Sequence, residues 1–353
     1  MVCSKYGYKF SFMESSYKRS IYCILAIFIS YSAYSQERIV VDIDDLIYID
    51  VDSHYSVKVL DTQDYILDKI DRVQYVQNSG ILIQSGKNLY LYDFTRNLLS
   101  VKFSNFGRAA HEYTFISDFG CDRDRVFIYD MNTKKILWYD LSGKFLSINH
   151  VTDKAEMSPF SMFIKFDNSY YIGKRVFGSA EIPELSLYDS EFKYQKPIDP
   201  KMKLRSGIYI GKQLSHACNG EVLYNQYFSN QILSVSISGT KVKYSIDFGK
   251  YNIPNIYNYK DEYEIIESIN ASNRMYASYI HNIYDAERYL SFAFLLKGGI
   301  RCLCIFDKYN NTVKQYAFKS VIGVVTNVVP GRDSAIIFLE NEEGSYRACQ
   351  IEY

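Results

Sequence analysis

An apolar pair closed by aspartate recurs along this chain. It occurs as Leu91-Tyr92-Asp93, Trp138-Tyr139-Asp140, Leu187-Tyr188-Asp189 and Ile305-Phe306-Asp307. Ser234-Val235-Ser236, followed by Ser238-Gly239, fits the same frame with serine in place of aspartate. The central positions 92, 139, 188, 235 and 306 are 47, 49, 47 and 71 residues apart. A period of about 40–50 residues is that of a repeated four-stranded unit. The long last step predicts an insertion before the fifth copy, at about 250–282.

Each copy has the same internal order. In the second, Val126–Tyr129, Ile136–Tyr139 and Phe145–Ile148 read as strands, joined by Met131-Asn132-Thr133 and Leu141-Ser142-Gly143. Asp140 opens a turn, where its carboxylate accepts from backbone N–H groups ahead, and Gly143 supplies a positive φ. The first copy repeats the order with Ile81–Ile83, Leu89–Tyr92 and Leu98–Phe103, and the fourth with Leu223–Tyr224, Ile232–Val235 and Val242–Ile246. Such meanders have two apolar faces and need neighbours on both. Arrangement in a ring satisfies this and leaves only short edges. A sixth unit, Val321–Ile351, holds Ala335–Leu339 and Tyr346–Gln350 but ends before a fourth strand; Tyr55–Leu60 is an unassigned strand near the other end. The expected fold is all-β: a six-bladed β-propeller whose last blade is closed by this N-terminal strand. The 353 residues, 48% apolar and with 35 Tyr, 22 Phe and 6 Pro, suit a β-rich interior. Lys+Arg and Asp+Glu balance at 40 each, which excludes the basic footprint of a nucleic-acid or anionic-membrane binder.

Lys18 and Arg19 precede an apolar run from Ile21 to Ile29, and Ala33-Tyr34-Ser35 follows. This is the order of a secretory signal peptide, and the run is too short to span a bilayer. Residues 1–35 are read as the leader, with Met13 as an alternative start, and 36–353 as the propeller. Export to the periplasm or cell envelope is the expectation. Cys3 and Cys23 fall in the leader. Cys121, Cys218, Cys302, Cys304 and Cys349 remain, an odd number that reads as small buried apolar side chains rather than a disulfide framework. Cys302 and Cys304 lack the second pair of a zinc site.

Three segments carry a family resemblance. Phe106-Gly107-Arg108-Ala109-Ala110-His111-Glu112-Tyr113 with Ile116-Ser117-Asp118-Phe119 is the first. Ile232 through Ser245-Ile246-Asp247-Phe248-Gly249-Lys250-Tyr251-Asn252-Ile253-Pro254 is the second. The third is Asn282-Ile283-Tyr284 with Glu287-Arg288-Tyr289-Leu290 and Ile305-Phe306-Asp307-Lys308. Together they resemble the NHL-like six-bladed β-propellers abundant in Bacteroidetes, which implies an exported propeller and no general activity. In that family a Gly-rich loop ending in Gly-Glu-Tyr leads into the second blade. Here Ala109, Ala110 and His111 replace part of that loop, and Asn230-Gln231 replaces a more usual Asp-Thr.

No hydrolase elbow, phosphate loop, zincin or sialidase Asp-box occurs. Gly80–Lys87 has the wrong glycine spacing for a phosphate loop, and Phe115 stands where a zincin needs its second histidine. Asp42, Asp44, Asp45, Asp50 and Asp52 offer hard oxygen ligands for Ca²⁺ but lack a calcium-loop spacing, so they read as a solvated acidic segment and no cofactor is expected. Arg108, His111 and Glu112 are candidate ligand-binding residues, since Arg108 can grip a carboxylate or phosphate. The structural alternative is that Glu112 pairs with Arg108 or caps loop backbone. Tyr257, Tyr259 and Tyr263 in the insertion are candidates for stacking on sugars or aromatic groups, with packing onto the blades as the bland reading. Asp261–Ile266 reads as a short helix. Two function classes follow: a monomeric binding module for a glycan, peptide or protein, and a metal-dependent, lactonase-like hydrolase with ligands in the central channel. Three or more Asp, Glu, Asn or His around the channel would favour the enzyme; apolar and Tyr side chains there would favour the binding module.

Overall fold

A computed structural model describes residues 36–353 apart from 55–57, 60–66, 68, 77–79, 94, 95, 97, 104, 123, 154–160, 176–182, 202–210, 227, 254–258 and 322. The leader, Tyr257 and the ends of Tyr55–Leu60 lie outside the described residues. The N-terminal segment runs through β1 (Glu37–Val40), β2 (Ile47–Asp50), a helical turn α1 (Val51–His54) and β3 (Lys58–Val59). Six antiparallel sheets follow. Blade 1 is β4 (Ile70–Val76), β5 (Gly80–Ser85), β6 (Asn88–Asp93) and β7 (Leu98–Phe103). Blade 2 is β8 (Asp118–Asp122), β9 (Arg125–Asp130), β10 (Lys135–Asp140) and β11 (Phe145–His150). Blade 3 is β12 (Met162–Lys165), β13 (Tyr170–Lys174), β14 (Pro183–Asp189) and β15 (Tyr194–Lys201). Blade 4 is β16 (Leu214–His216), β17 (Val222–Asn225), β18 (Gln231–Ser236) and β19 (Gly239–Asp247). A helix, α2 (Glu262–Ala271), precedes blade 5, which is β20 (Ala277–Asp285), β21 (Tyr289–Leu296), β22 (Ile300–Asp307) and β23 (Thr312–Lys319). Blade 6 is β24 (Gly323–Pro330), β25 (Ser334–Asn341), β26 (Tyr346–Glu352) and β3.

The repeated aspartate ends the third strand of blades 1, 2, 3 and 5 and holds the turn beyond it. Asp140 Oδ1 accepts from the Ser142 and Lys144 N–H groups, each at 2.9 Å, and Asp189 Oδ1 does the same for Glu191 and Lys193. A short acceptor that ties its own turn explains why the residue recurs at this register. Gly143 takes φ +85°, as the turn requires.

Burial falls between blades. Leu82 and Leu89 of blade 1 pack with Val126 and Leu137 of blade 2, and Trp138 of blade 2 with Phe163 and Tyr188 of blade 3. Ile172 meets Val222 across blades 3 and 4, Ile232 meets Phe292 across 4 and 5, and Leu303 meets Ile337 across 5 and 6. Phe338 and Val329 of blade 6 then pack with Ile81 and Tyr90 of blade 1. Each blade thus shares a core with the next, and the last pairing closes the ring. Tyrosine is used heavily here: Tyr90, Tyr113, Tyr129, Tyr139, Tyr188 and Tyr224 are all fully buried. Buried tyrosine needs a hydroxyl partner. Tyr113 finds two, donating to the Phe103 and Lys87 carbonyls at 3.1 and 2.8 Å.

Closure by the N-terminal strand is present: Val59 stands opposite Arg347, and Lys58 opposite Ala348. The segment before it adds two strands that the repeat pattern does not announce. β1 lies beside β19, and β2 runs parallel to β23, with Ile47 opposite Tyr316 and Asp50 opposite Lys319. The acidic residues of this segment attach it to the blades. Asp44 pairs with Lys250 at 2.8 Å, and Asp52 Oδ2 accepts from the Ser320 hydroxyl and the Val321 N–H, each at 2.7 Å. Asp42, Asp44 and Asp45 are exposed, as a solvated run would be, and Asp44 and Asp52 hold protein groups as well.

Candidate functional site

An antiparallel meander fixes which loops share a face. The connections leading into each first strand, and the turns between second and third strands, lie together on the leading face; the other connections form the trailing face. Arg108, His111 and Glu112 belong to the blade 1–blade 2 connection, and Tyr259 and Tyr263 to the blade 4–blade 5 connection, so the described candidates of both groups belong to the leading face.

Glu112 has a structural task. Its Oε2 accepts the Ala109 N–H at 2.7 Å and covers Gly107, where an added Cβ would lie 2.0 Å from that oxygen. Lys135 Nζ donates to the Ala109 and Ala110 carbonyls at 3.3 and 3.2 Å, so blade 2 also secures the loop. Of the two alternatives for Glu112, the loop cap is the one present; no Arg108–Glu112 ion pair occurs among the described residues. Arg108 and His111 are exposed. In the insertion, Asp261 caps α2 by accepting the Glu264 N–H at 3.0 Å, and Ile265 and Ile269 pack on Phe228 and Tyr276. Tyr259 joins that cluster and lies 3.1 Å from Ser268 Oγ, which is the packing alternative. Tyr263 stands 63% exposed on the helix.

Sequence reasoning pointed to the central channel without assigning any residue to it, and the channel carries charge. Its first tier lies toward the leading face. Arg72 on β4 donates to the Ile116 and Ser117 carbonyls and to Gln84, and its guanidinium lies 5.1 Å from the Phe119 ring centre. Asp118, at the start of β8, is fully buried; its Oδ2 accepts the Phe163 N–H at 3.0 Å, and burial pushes its carboxyl pKa up. Lys212 precedes β16, and burial lowers its ammonium. Asn282 clamps the Lys212 backbone, accepting its N–H at 3.0 Å and donating its own N–H to its carbonyl at 2.9 Å. The clamp uses a left-handed Asn282, at φ +50°.

A second tier lies toward the trailing face. Asp122 pairs with Lys165 and with Arg125, both at 3.2 Å. His216 is reached by solvent, yet the walls around it strip hydration and push its imidazole down to about 4, with Lys212 adding to the effect. The channel thus carries Asp118, Asp122, His216 and Asn282, which meets the number expected of the enzyme; with a Tyr75–Tyr284 ring pair also on its inner strands, it is not solely the apolar, tyrosine-lined surface of the binding alternative. Nor do these groups converge: among the described residues no three His, Cys, Asp or Glu side chains are grouped to hold one metal ion. The local signs of this cluster were a charge at Arg72 within β4 and one at Asp118 heading β8, and no linear pattern links the two.

Among the described residues no helix is long and apolar enough to cross a membrane. No curated protein matches the chain. The solved structure of a "putative exported protein" from Bacteroides fragilis NCTC 9343 is similar at TM-score 0.67 and 16% identity, covering 90% of this chain and 100% of that one. A member of the DUF4221 family from Bacteroides vulgatus ATCC 8482 is similar at TM-score 0.54 and 10% identity, covering 84% and 95%. At these identities the likeness is one of fold. The family described as "6-bladed beta-propeller" matches residues 31–327, the span that holds blades 1–5 and the N-terminal strands, and the chain therefore belongs to that DUF5128 family.

Proposed function

We propose that this protein is an exported binding module of the cell envelope whose leading face holds a peptide or protein segment. One observation carries the reading. Of the twelve large apolar side chains exposed among the described residues, six belong to the leading face: Phe106, Phe115, Tyr263, Met275, Val321 and Val324. These six fall at three of the junctions that crown this face, and exposed apolar side chains sharing a face suit a contact surface. Five of the six are Phe, Met or Val. Glycan platforms use the flat faces of Tyr and Trp, so the composition favours peptide over sugar. Arg108 and His111 sit on the polar rim of this face, with Tyr263 as an aromatic contact. Export is supported by the leader pattern at 1–35 and by the description of the Bacteroides fragilis relative.

The test is selection from a random phage-displayed peptide library, with a glycan array run in parallel. Wild-type protein is expected to enrich apolar-anchored peptides that the Phe115→Asp/Val324→Asp variant no longer binds. Enrichment unchanged in the variant, or binding on the glycan array alone, overturns the reading. Export is checked separately by expressing the full chain and measuring the mass of the mature protein, expected to begin at Gln36.

A further inference from the structure

The first tier of the channel contains a cation in an unusual position. Lys212 belongs to the connection into blade 4, yet its ammonium lies 5.7 Å from the ring centre of Phe127, which belongs to the second strand of blade 2. Blade 3 stands between those two blades, so the side chain reaches across the channel. Phe127 is available to it because the inner strand opposite is cut away. Gly120 pairs with Phe127 across β8 and β9, and a Cβ at Gly120 would lie 2.9 Å from the Phe127 ring and 2.9 Å from Gln74 Oε1. A glycine here leaves a window through which the ring is displayed.

Lys212 makes no ion pair among the described residues. The carboxylate whose charge acts on it, Asp118, is committed elsewhere through Oδ2 to the Phe163 N–H, and its Oδ1 has no hydrogen-bond partner among the described residues. Arg72 adds a second positive charge to the tier, fixed by two carbonyls and Gln84. Two cations therefore share this tier with one carboxylate; in the second tier Lys165 and Arg125 stand in the same ratio to Asp122, but there both cations are paired with it. The Asn282 clamp holds the Lys212 backbone in place, so little ordering is needed on binding.

We infer that the leading mouth of the channel is an oxyanion site, in which Lys212, lying over Phe127 and supported by the field of Arg72, binds the carboxylate or phosphate group of a small ligand. This site does not depend on the apolar rim. The experiment is competitive acetylation of wild-type protein with acetic anhydride, read by mass spectrometry of the peptide containing Lys212. Inorganic phosphate and succinate in the millimolar range are the probes, with sodium chloride at matched ionic strength as control. Either probe is expected to slow acetylation of Lys212 by about five-fold or more relative to the chloride control, leaving exposed lysines such as Lys69 unaffected. Protection by phosphate alone assigns a phosphate group, by succinate alone a carboxylate, and by both a general oxyanion. Asp118→Asn removes the opposing charge and is expected to tighten phosphate about five-fold; its thermal melt reports whether it folds. Lys212 labelling that is equal in phosphate, succinate and chloride overturns the inference, whatever the peptide selection shows.

Discussion

His281 gives the fold a measurable sensitivity to acid. The residue sits in β20, 2% exposed, with Nδ1 at 2.5 Å from the Tyr279 carbonyl and Gly211 against its ring, where a Cβ would come within 2.3 Å of Cδ2. Burial lowers the imidazole from 6.5 to about 4; the Tyr279 carbonyl opposes this, and Arg301 adds to it. The folded pKa lies below the unfolded one, so the unfolded chain takes up the proton first. Stability is therefore lost as pH falls from about 6.5 toward 4, and is fully present above that window. Between pH 7.5 and 5 the two proton-binding curves differ by about 2 kcal/mol for this one group. Urea denaturation of wild type and His281→Asn at both pH values isolates it, since asparagine keeps a donor for the Tyr279 carbonyl and cannot titrate. His216 has the same sign but is reached by solvent, and both proteins retain it. The variant is expected to lose about 2 kcal/mol less than wild type on acidification. Equal losses in the two proteins would refute a neutral, buried His281.

Deleting Lys58 and Val59 leaves the edge of β26 unpaired at Arg347 and Ala348, and is expected to lower the thermal midpoint of the whole domain. An unchanged midpoint would show that blade 6 does not need its N-terminal strand. Glu112→Ala is expected to cost about 1 kcal/mol through loss of the bond to the Ala109 N–H, whereas exposed Arg108→Ala stays within about 0.5 kcal/mol. A reversed order in chemical denaturation would assign Arg108 the structural task.

The repeat was legible because it rests on local chemistry. Asp93, Asp140, Asp189 and Asp307 each tie their own turn, and this acts within a few residues of the chain. The helix at 262–271 was legible for the same reason, from its capping aspartate and the apolar spacing of Ile265 and Ile269. β1 and β2 were not, because Glu37–Val40 and Ile47–Asp50, although β-branched and aromatic in part, stand outside the repeat and have no partner nearby in the chain. Their partners lie some two hundred residues or more along the chain, at β19 and β23. Their exposed Val40, Ile47 and Tyr48 also break the inward pattern expected of a buried strand. The channel cluster failed to show for a related reason. Arg72, Asp118 and Lys212 come from three blades, and only ring closure brings them together. The loop candidates were read from charge and aromatic content, with a backbone cap for Glu112 and packing for the tyrosines as the alternatives; the structure gives Glu112 the cap and Tyr259 the packing role, a choice set by neighbours that a linear pattern does not reveal.

The strap at residues 37–59 reverses the order of synthesis and assembly. The ribosome makes β1, β2 and β3 before any blade, but their partners β19, β23 and β26 come from the last three blades made. These early strands must wait with open edges until nearly the whole polypeptide exists, and the circle cannot lock from a truncated product. A chain built this way stays unlocked while it is being made, a state compatible with threading through a narrow pore.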